Sequence, residues 1–183
     1  MDEYDEVTLA ALHARRGDTA AATAFVRATQ ADVWRACAAL ASRDLADELT
    51  QETYARAFAG LHRFAGRSSA RTWLLAIARN VCADAVRALV RDRARRAETG
   101  AGVEPAVPDA ADGVALRSLL DGVDAERREA FVLTQLVGLS YAEAADVVGC
   151  PVGTIRSRVA RARADLVTAH DAATGRVRRG LSS

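Results

Sequence analysis

Apolar residues recur at helical spacing along almost the whole chain, and the pattern breaks at glycine, proline and helix-capping residues. It predicts helices over residues 5–16, 18–26, 31–41, 44–62 and 69–93, and from Asp124 through Leu136 to an end at Gly138. Strong helix formers dominate, and runs of β-branched residues are absent from the sequence. We therefore expect an all-α protein.

Residues 97–113 interrupt this helical pattern. Two of the three prolines and three of the twelve glycines of the chain fall in this segment, which is a composition typical of linkers. We therefore expect two small helical domains, residues 1–96 and 114–167, joined by a flexible acidic linker. The residues from 168 to 183 are polar and broken by glycine, which predicts a disordered tail.

Residues 139–166 have the pattern of a helix-turn-helix. Ser140 and Glu143 form a capping box that starts a short helix. Gly149 ends this helix, because glycine accepts the left-handed conformation that a helix C-terminus needs. Pro151 then opens a second helix in its first turn, where its missing N–H costs nothing.

The second helix of this pair has the two faces of a recognition helix. At about 100° per residue, its apolar side chains form one buried stripe of Ile155, Val159, Ala162 and Leu166. Opposite and beside this stripe lie the candidate DNA-binding residues Thr154, Arg156, Ser157, Arg158 and Arg161. Small polar groups suit base edges, and flanking arginines suit phosphates. The alternative is an ordinary amphipathic helix with a solvated basic face, but the agreement of caps, turn and face favours DNA binding.

A second basic segment precedes the linker, where residues 63–96 carry nine arginines and two acids. Its loop and helix hold the candidate nucleic-acid ligands Arg67, Ser68, Trp73, Asn80 and Arg87. Aromatic rings and guanidinium planes stack on unpaired bases, and amides read base edges. The alternative is that Trp73 is a half-buried core residue and the arginines are solvated, and the residues alone do not separate the two.

The helix before this basic segment presents a polar cluster of Asp47, Glu48, Gln51 and Glu52. No histidine, metal-ligand pattern or glycine-rich phosphate loop accompanies it in the sequence, so a solvated or protein-binding face is favoured over a catalytic one. The cysteines Cys37, Cys82 and Cys150 stand far apart, which fits a reducing compartment. Because the sequence has no signal peptide and no long apolar run, we expect a cytoplasmic protein with no membrane contact. Because it has no catalytic or metal-ligand pattern, we expect no catalytic residues, no metal and no cofactor.

Four segments in this order resemble the extracytoplasmic-function group of the sigma-70 family of bacterial RNA polymerase sigma factors. They are residues 47–57 (DELTQETYARA), 70–80 (ARTWLLAIARN), 138–145 (GLSYAEAA) and 150–158 (CPVGTIRSR). The chain is alanine-rich and carries 25 arginines and no lysine. In this bias it is similar to mycobacterial C-type members of the group, which favours a high-GC actinobacterial source.

The resemblance implies a sigma-2 domain before the linker and a sigma-4 domain after it. It implies that Asp47, Glu48, Gln51 and Glu52 dock on the β′ coiled coil of core RNA polymerase, and that the second domain meets the β flap. The basic loop and helix would capture the melted −10 strand of promoter DNA, and the recognition helix would read the −35 duplex. An anti-sigma factor inserted between the domains near Trp73 and Leu119, or occlusion of the DNA-binding faces, is expected to restrain the free protein.

Two other functions are compatible with a helix-turn-helix. An autonomous DNA-binding regulator would dimerise and read a palindrome, but the sequence offers no obvious dimer helix and has a second nucleic-acid surface. A helical enzyme with a DNA-binding appendage would need a catalytic constellation, and the sequence has none. Promoter-specific transcription with purified core polymerase distinguishes these alternatives.

Overall fold

The computed structural model describes residues 4–98, 119–120 and 122–180, and these residues form helices and turns. The α-helices, numbered here in chain order, are α1 Glu6–Ala14, α2 Thr19–Leu40, α3 Ala46–Gly60, α4 Ala70–Glu98, α5 Ala125–Phe131, α6 Tyr141–Val148 and α7 Val152–Gly180. A 3₁₀ turn, Leu61–Arg63, follows α3, and one π-helical turn, Val132–Leu136, follows α5. The prediction of an all-α protein is confirmed. Most of the predicted linker at 97–113, and the start of the second domain, lie outside the described residues.

The first four helices pack around one apolar core. Its members come from all four helices and include Ala11, Phe25, Val33, Leu49, Tyr54, Leu74 and Val81. Asp5 caps α1 by accepting a hydrogen bond from the backbone N–H of Thr8 at 2.8 Å. The hydroxyl oxygen of Thr8 in turn accepts one from the backbone N–H of Ala70 at 2.9 Å. This buried contact ties the start of α1 to the start of α4.

Two predicted helix boundaries in this domain differ from the structure. The helices expected over 18–26 and 31–41 are the single helix α2, because no glycine or proline interrupts it. Thr29 sits inside this helix with its hydroxyl satisfied, since it donates to the carbonyl of Phe25 at 2.7 Å. Asp44 does not start α3, whose N-cap residue is Leu45 without a side-chain hydrogen bond.

The helix-turn-helix forms as its capping residues predict. Both hydrogen bonds of the capping box between Ser140 and Glu143 are present at the start of α6. Gly149 ends α6 in the left-handed conformation, with φ of 75°. The second helix, α7, continues to Gly180, so the backbone is helical over much of the segment in which the sequence predicts a disordered tail. Alanine and arginine, both strong helix formers, recur there.

The second domain packs directly on the first. Leu75 of α4 and Ala36 of α2 are each 1% exposed. Both belong to the same apolar cluster as Val132, Leu133 and Leu139 of the second domain. We call this contact the domain interface. It also includes two arginines of α4, Arg71 and Arg79.

Two arginines of α4 add polar contacts to the domain interface. Arg79 Nε lies 2.6 Å from Glu129 Oε1, and the two side chains are 31% and 16% exposed. Arg71 donates to Asp32 of α2 at 2.6 Å and also to the backbone carbonyl of Val137. Arg71 therefore joins both domains through one guanidinium group.

Over the described ranges, no helix is both long enough and apolar enough to cross a membrane.

Candidate nucleic-acid interfaces

The helix α7 presents most of its predicted DNA-binding side chains to solvent. Arg156, Ser157 and Arg161 are exposed, whereas Ile155 on the other side of the helix is fully buried. The hydroxyl of Ser157 donates to the carbonyl of Thr154 at 2.9 Å, so its oxygen lies close to the helix. The exposed face of α7 therefore has a short polar side chain at its centre, Ser157, with the guanidinium groups of Arg156 and Arg161 on either side.

Thr154 of this predicted set is half-buried, and Arg158 is the member whose guanidinium group is already paired within the protein. Its side chain is 19% exposed, and its guanidinium group is paired with the carboxylate of Glu126 on α5. It also lies 3.8 Å from Cys150 Sγ. Arg158 therefore holds α7 against α5, and its contact with a phosphate stays a prediction.

On the first domain, the basic loop before α4 and one side of α4 form a second solvent-facing surface. Arg67, Asn80 and Arg87 are exposed, and Ser68 is half-buried. The second domain covers a different side of α4, the side that carries Leu75. The domain interface therefore leaves Arg67 and Asn80 open, whereas Arg87 lines a pocket together with Arg128 and Glu129 of the second domain.

Trp73 lies at the edge of this surface with one side against the core. Its ring centroid is 5.0 Å from that of Phe64, with the two planes tilted by 40°. Phe64 is buried and Trp73 is half-buried. Trp73 is therefore partly a core residue, as one of the two alternatives has it, and its contact with a base stays a prediction.

An exposed chain of ion pairs connects α3 to α4 beside this surface. Arg56 lies 2.7 Å from Glu52 and 2.9 Å from Asp84, and Asp84 lies 2.6 Å from Arg87. Hydrogen bonds from Arg56 and from Arg87 lower the pKa of Asp84 below its usual value, so this carboxylate is ionised at neutral pH. Exposed pairs of this kind contribute little to stability, and a protein or nucleic-acid partner can therefore displace them at small cost.

The predicted acidic face of α3 is also exposed. Glu48 and Gln51 face solvent, and Asp47 accepts a hydrogen bond from Trp34 Nε1 at 2.9 Å. Phe58, which sequence reasoning did not single out, is 41% exposed. It follows Gln51 by seven residues, which places both on the same side of the helix. This spacing was the signal in the sequence that could have found it.

Titratable side chains form no metal centre in the parts of the chain that the structure describes, since no three His, Cys, Asp or Glu residues come together there. One exposed basic surface lies on each domain, and a separate acidic and apolar face lies on α3.

Comparison with known proteins gives a consistent result for both domains. The family model for Sigma-70 region 2 matches residues 25–93, and the model for Sigma-70, region 4 matches residues 113–166. The ECF RNA polymerase sigma factor SigC of Mycobacterium tuberculosis is 52% identical over 165 residues, which cover 87% of this chain and 88% of that protein.

Solved structures match the fold as well. CnrH, in complex with the cytosolic domain of CnrY, matches with a TM-score of 0.75 and 29% identity, over 92% of this chain and 99% of that one. The sigma factor RpoE of Bartonella quintana, in complex with the anti-sigma factor NepR, matches with a TM-score of 0.62 and 30% identity, over 77% of this chain and 91% of that one.

Proposed function

This chain belongs to the extracytoplasmic-function group of the sigma-70 family, the promoter specificity factors of bacterial RNA polymerase, and we propose that its two basic surfaces divide promoter recognition between them. The helix α7 reads the −35 element as duplex. The basic loop and α4 capture the −10 element as a melted single strand. The observation that carries this proposal is the presence of two separate exposed basic surfaces, one on each domain.

In the −35 element, Arg161 and Ser157 contact base edges, because both face away from the buried stripe of α7. Arg156 contacts a phosphate from the flank. Arginine can bind guanine with two hydrogen bonds in the major groove, whereas phosphate contacts fix register without reading sequence. The exposure of all three side chains supports this division.

In the −10 element, the exposed part of the Trp73 ring stacks on an unpaired base, and the amide of Asn80 reads a base edge. Arg67, Arg87 and the hydroxyl of Ser68 hold the sugar-phosphate backbone. Stacking platforms lined by cations are how proteins bind single strands. The half-buried position of Trp73 supports this role, since its contact with Phe64 fixes the ring in place before a base arrives.

The helix α3 binds the β′ coiled coil of core RNA polymerase, and the second domain meets the β flap. The charge of Asp47, Glu48 and Glu52 has the wrong sign for a phosphate backbone. Glu48 and Gln51 are exposed, and Glu52 is held only by a solvent-exposed pair with Arg56. These side chains are therefore available to a basic protein partner.

We further propose that the domain interface restrains the free protein. The −35 and −10 elements lie about 25 base pairs apart, which is about 85 Å of B-form duplex. A compact body of the described size has a radius of gyration of about 15 Å. The closed arrangement therefore cannot engage both elements, although it leaves most of the DNA-facing side chains exposed. The restraint comes from the spacing of the two surfaces and not from their occlusion.

An anti-sigma factor is a second means of restraint. The complex of the RpoE sigma factor with NepR supports this kind of partner. We expect its helical segment to enter between the domains near Trp73 and Leu119. Because Leu75 and Leu133 share one apolar cluster, such a segment must displace or extend an existing contact.

Run-off transcription with purified core polymerase tests the proposed function. The template is a library of promoter-length fragments from the source genome, and the control is core polymerase without this chain. We expect transcripts from defined start sites only when the chain is present. Sequence-specific binding to a palindromic site without polymerase, and no stimulated transcript, would instead identify an autonomous regulator.

A further inference from the structure

We propose that the first helix, α1, positions the basic loop of residues 64–69, so that Tyr4 and Arg15 are positioning residues for capture of the melted −10 strand. This inference rests on the proposed function of the basic loop and α4, and it adds residues from a different element. Both side chains act through the loop and not on the DNA.

The basic loop depends on outside support, because its own residues bury little. Within it Phe64 is buried, whereas Ala65 and Arg67 are exposed and the others are half-buried. A short segment that contains glycine and two serines, with so little burial, has many conformations open to it. A strand that binds such a loop must order it, and the lost entropy lowers the affinity. A loop that is already held in place avoids this loss.

The helix α1 and the residue before its cap contact the loop at its start, its middle and its end. Arg15, the C-cap residue of α1, donates a hydrogen bond from its guanidinium group to the carbonyl of Phe64 at 2.7 Å. The Tyr4 ring lies against the backbone of Gly66, since a Cβ atom at that residue would be 3.0 Å from the Tyr4 hydroxyl oxygen and 3.1 Å from its Cε1. The third contact is the buried hydrogen bond from the residue after the loop to Thr8.

The three contacting side chains lie on one side of α1. Tyr4, Thr8, Ala11 and Arg15 follow one another at spacings of four, three and four residues, which is the spacing of a single helix face. Ala11 on this face is 0% exposed and belongs to the core of the first domain. The core therefore fixes α1, and α1 in turn fixes the loop.

The hydrogen bond of Arg15 reaches the proposed stacking residue through one intermediate. Phe64, whose carbonyl Arg15 holds, packs its ring on Trp73 with the centroids 5.0 Å apart. Loss of this hydrogen bond frees the start of the loop, so that Arg67 and Ser68 take up more conformations. The −10 strand must then order them on binding. Its affinity falls although every direct contact with DNA is still available.

The test measures binding of a fluorescent single-stranded oligonucleotide to the holoenzyme formed from purified core polymerase and the full chain. Wild-type holoenzyme first selects this oligonucleotide from a pool of random single strands. We expect Arg15→Ala to bind it about fivefold more weakly, the size of one lost hydrogen bond. Tyr4→Ala should weaken binding to a similar extent. Tyr4→Phe keeps the ring on Gly66 and should bind as wild type does.

Two further measurements separate positioning from other roles of Arg15. A direct phosphate contact would lower the slope of log affinity against log salt concentration by about 0.7 when it is lost, whereas loss of positioning leaves the slope unchanged. In the free protein, the backbone amides of residues 65–69 should exchange with deuterium faster in Arg15→Ala than in wild type. The other helices of the first domain should exchange as in wild type.

Arg16→Ala is the matched control. Arg16 is the next residue along the chain and is also exposed, but its side chain has no hydrogen bond or ion pair with another described residue. The variant loses the same charge as Arg15→Ala without loss of a loop contact. It should bind the oligonucleotide as wild type does.

The following results would overturn the proposal and leave the proposed function intact: wild-type affinity of Arg15→Ala or Tyr4→Ala, an equal loss of affinity in Arg16→Ala, or a reduced salt slope in Arg15→Ala. Unchanged exchange in the loop, or faster exchange throughout the first domain, would also overturn it. A wild-type holoenzyme that selects no single-stranded sequence would refute the proposed function of the basic loop and α4, and this inference with it.

Discussion

Replacing Leu75 by alanine should weaken the domain interface without unfolding either domain. Leu75 is 1% exposed and belongs to the apolar cluster of the second domain, not to that of the first. The change removes three carbon atoms that are buried only when the domains are closed. At about 0.8 kcal/mol for each buried methylene group, closing loses about 2.4 kcal/mol. The ratio of closed to open protein should therefore fall by about fiftyfold.

The apparent affinity for core polymerase reports this ratio. If only the open form engages polymerase with both domains, the measured Kd is the intrinsic Kd divided by the open fraction. Leu75→Ala should then bind core polymerase up to about fiftyfold more tightly than wild type in a fluorescence anisotropy titration. Leu74→Ala is the matched control, because Leu74 is 0% exposed but belongs to the core of the first domain. It should lower stability without tightening binding.

A second substitution acts on the same interface from the other side. Glu129→Arg places two like charges together with Arg79 and should also tighten binding to core polymerase. Agreement between Leu75→Ala and Glu129→Arg would exclude a direct effect of residue 75 on polymerase. If neither variant bound more tightly than wild type, the closed arrangement would not restrain the protein, and the reasoning from spacing would be refuted.

Other predictions concern the two surfaces and the helix-turn-helix. Arg161→Ala should lose about 1–3 kcal/mol of −35 binding and change base preference in a selection experiment, and unchanged selection would contradict its assignment. Arg156→Ala should instead weaken binding to all sequences and reduce the salt dependence of binding. Glu48→Arg combined with Glu52→Arg should abolish capture of core polymerase in a pull-down while circular dichroism stays helical, and normal capture would defeat the role given to α3. Ser140→Ala removes the N-cap of α6 and should cost about 1 kcal/mol, seen as a thermal midpoint lower by about 2–4 °C; an unchanged midpoint would mean that the cap contributes nothing.

Local features of the fold could be predicted from the sequence because their causes are local. The capping box of Ser140 and Glu143, the left-handed Gly149 and the buried stripe of α7 each depend on residues that are close together in the sequence. The break expected inside α2 was wrong for a related reason. Thr29 lies inside this helix, where its hydroxyl donates to the carbonyl of Phe25 and lies 2.6 Å from the hydroxyl of Tyr54 within the core.

Long-range features could not be predicted in this way. Leu75 lies outside the core stripe of α4, and it packs instead in the apolar cluster that is made mostly of second-domain residues. Arg71 and Arg79 appeared among the basic residues of α4, yet they contact Val137 and Glu129, which follow 66 and 50 residues later. The residues assigned to the −35, −10 and polymerase contacts remain predictions, because they act on partners and not on one another.

The π-helical turn Val132–Leu136 determines the orientation of α6 and α7 relative to α5. Such a turn accommodates one more residue than an α-helical turn, and each residue of a helix advances the chain by about 100°. Loss of one residue from this turn would restore a regular helix and swing α6 and α7 by about a quarter of a revolution around the axis of α5. The carbonyl of Val137 would then face away from Arg71. In evolutionary terms, the length of this turn should be far less free to vary than its sequence, and related chains should align through it without gaps.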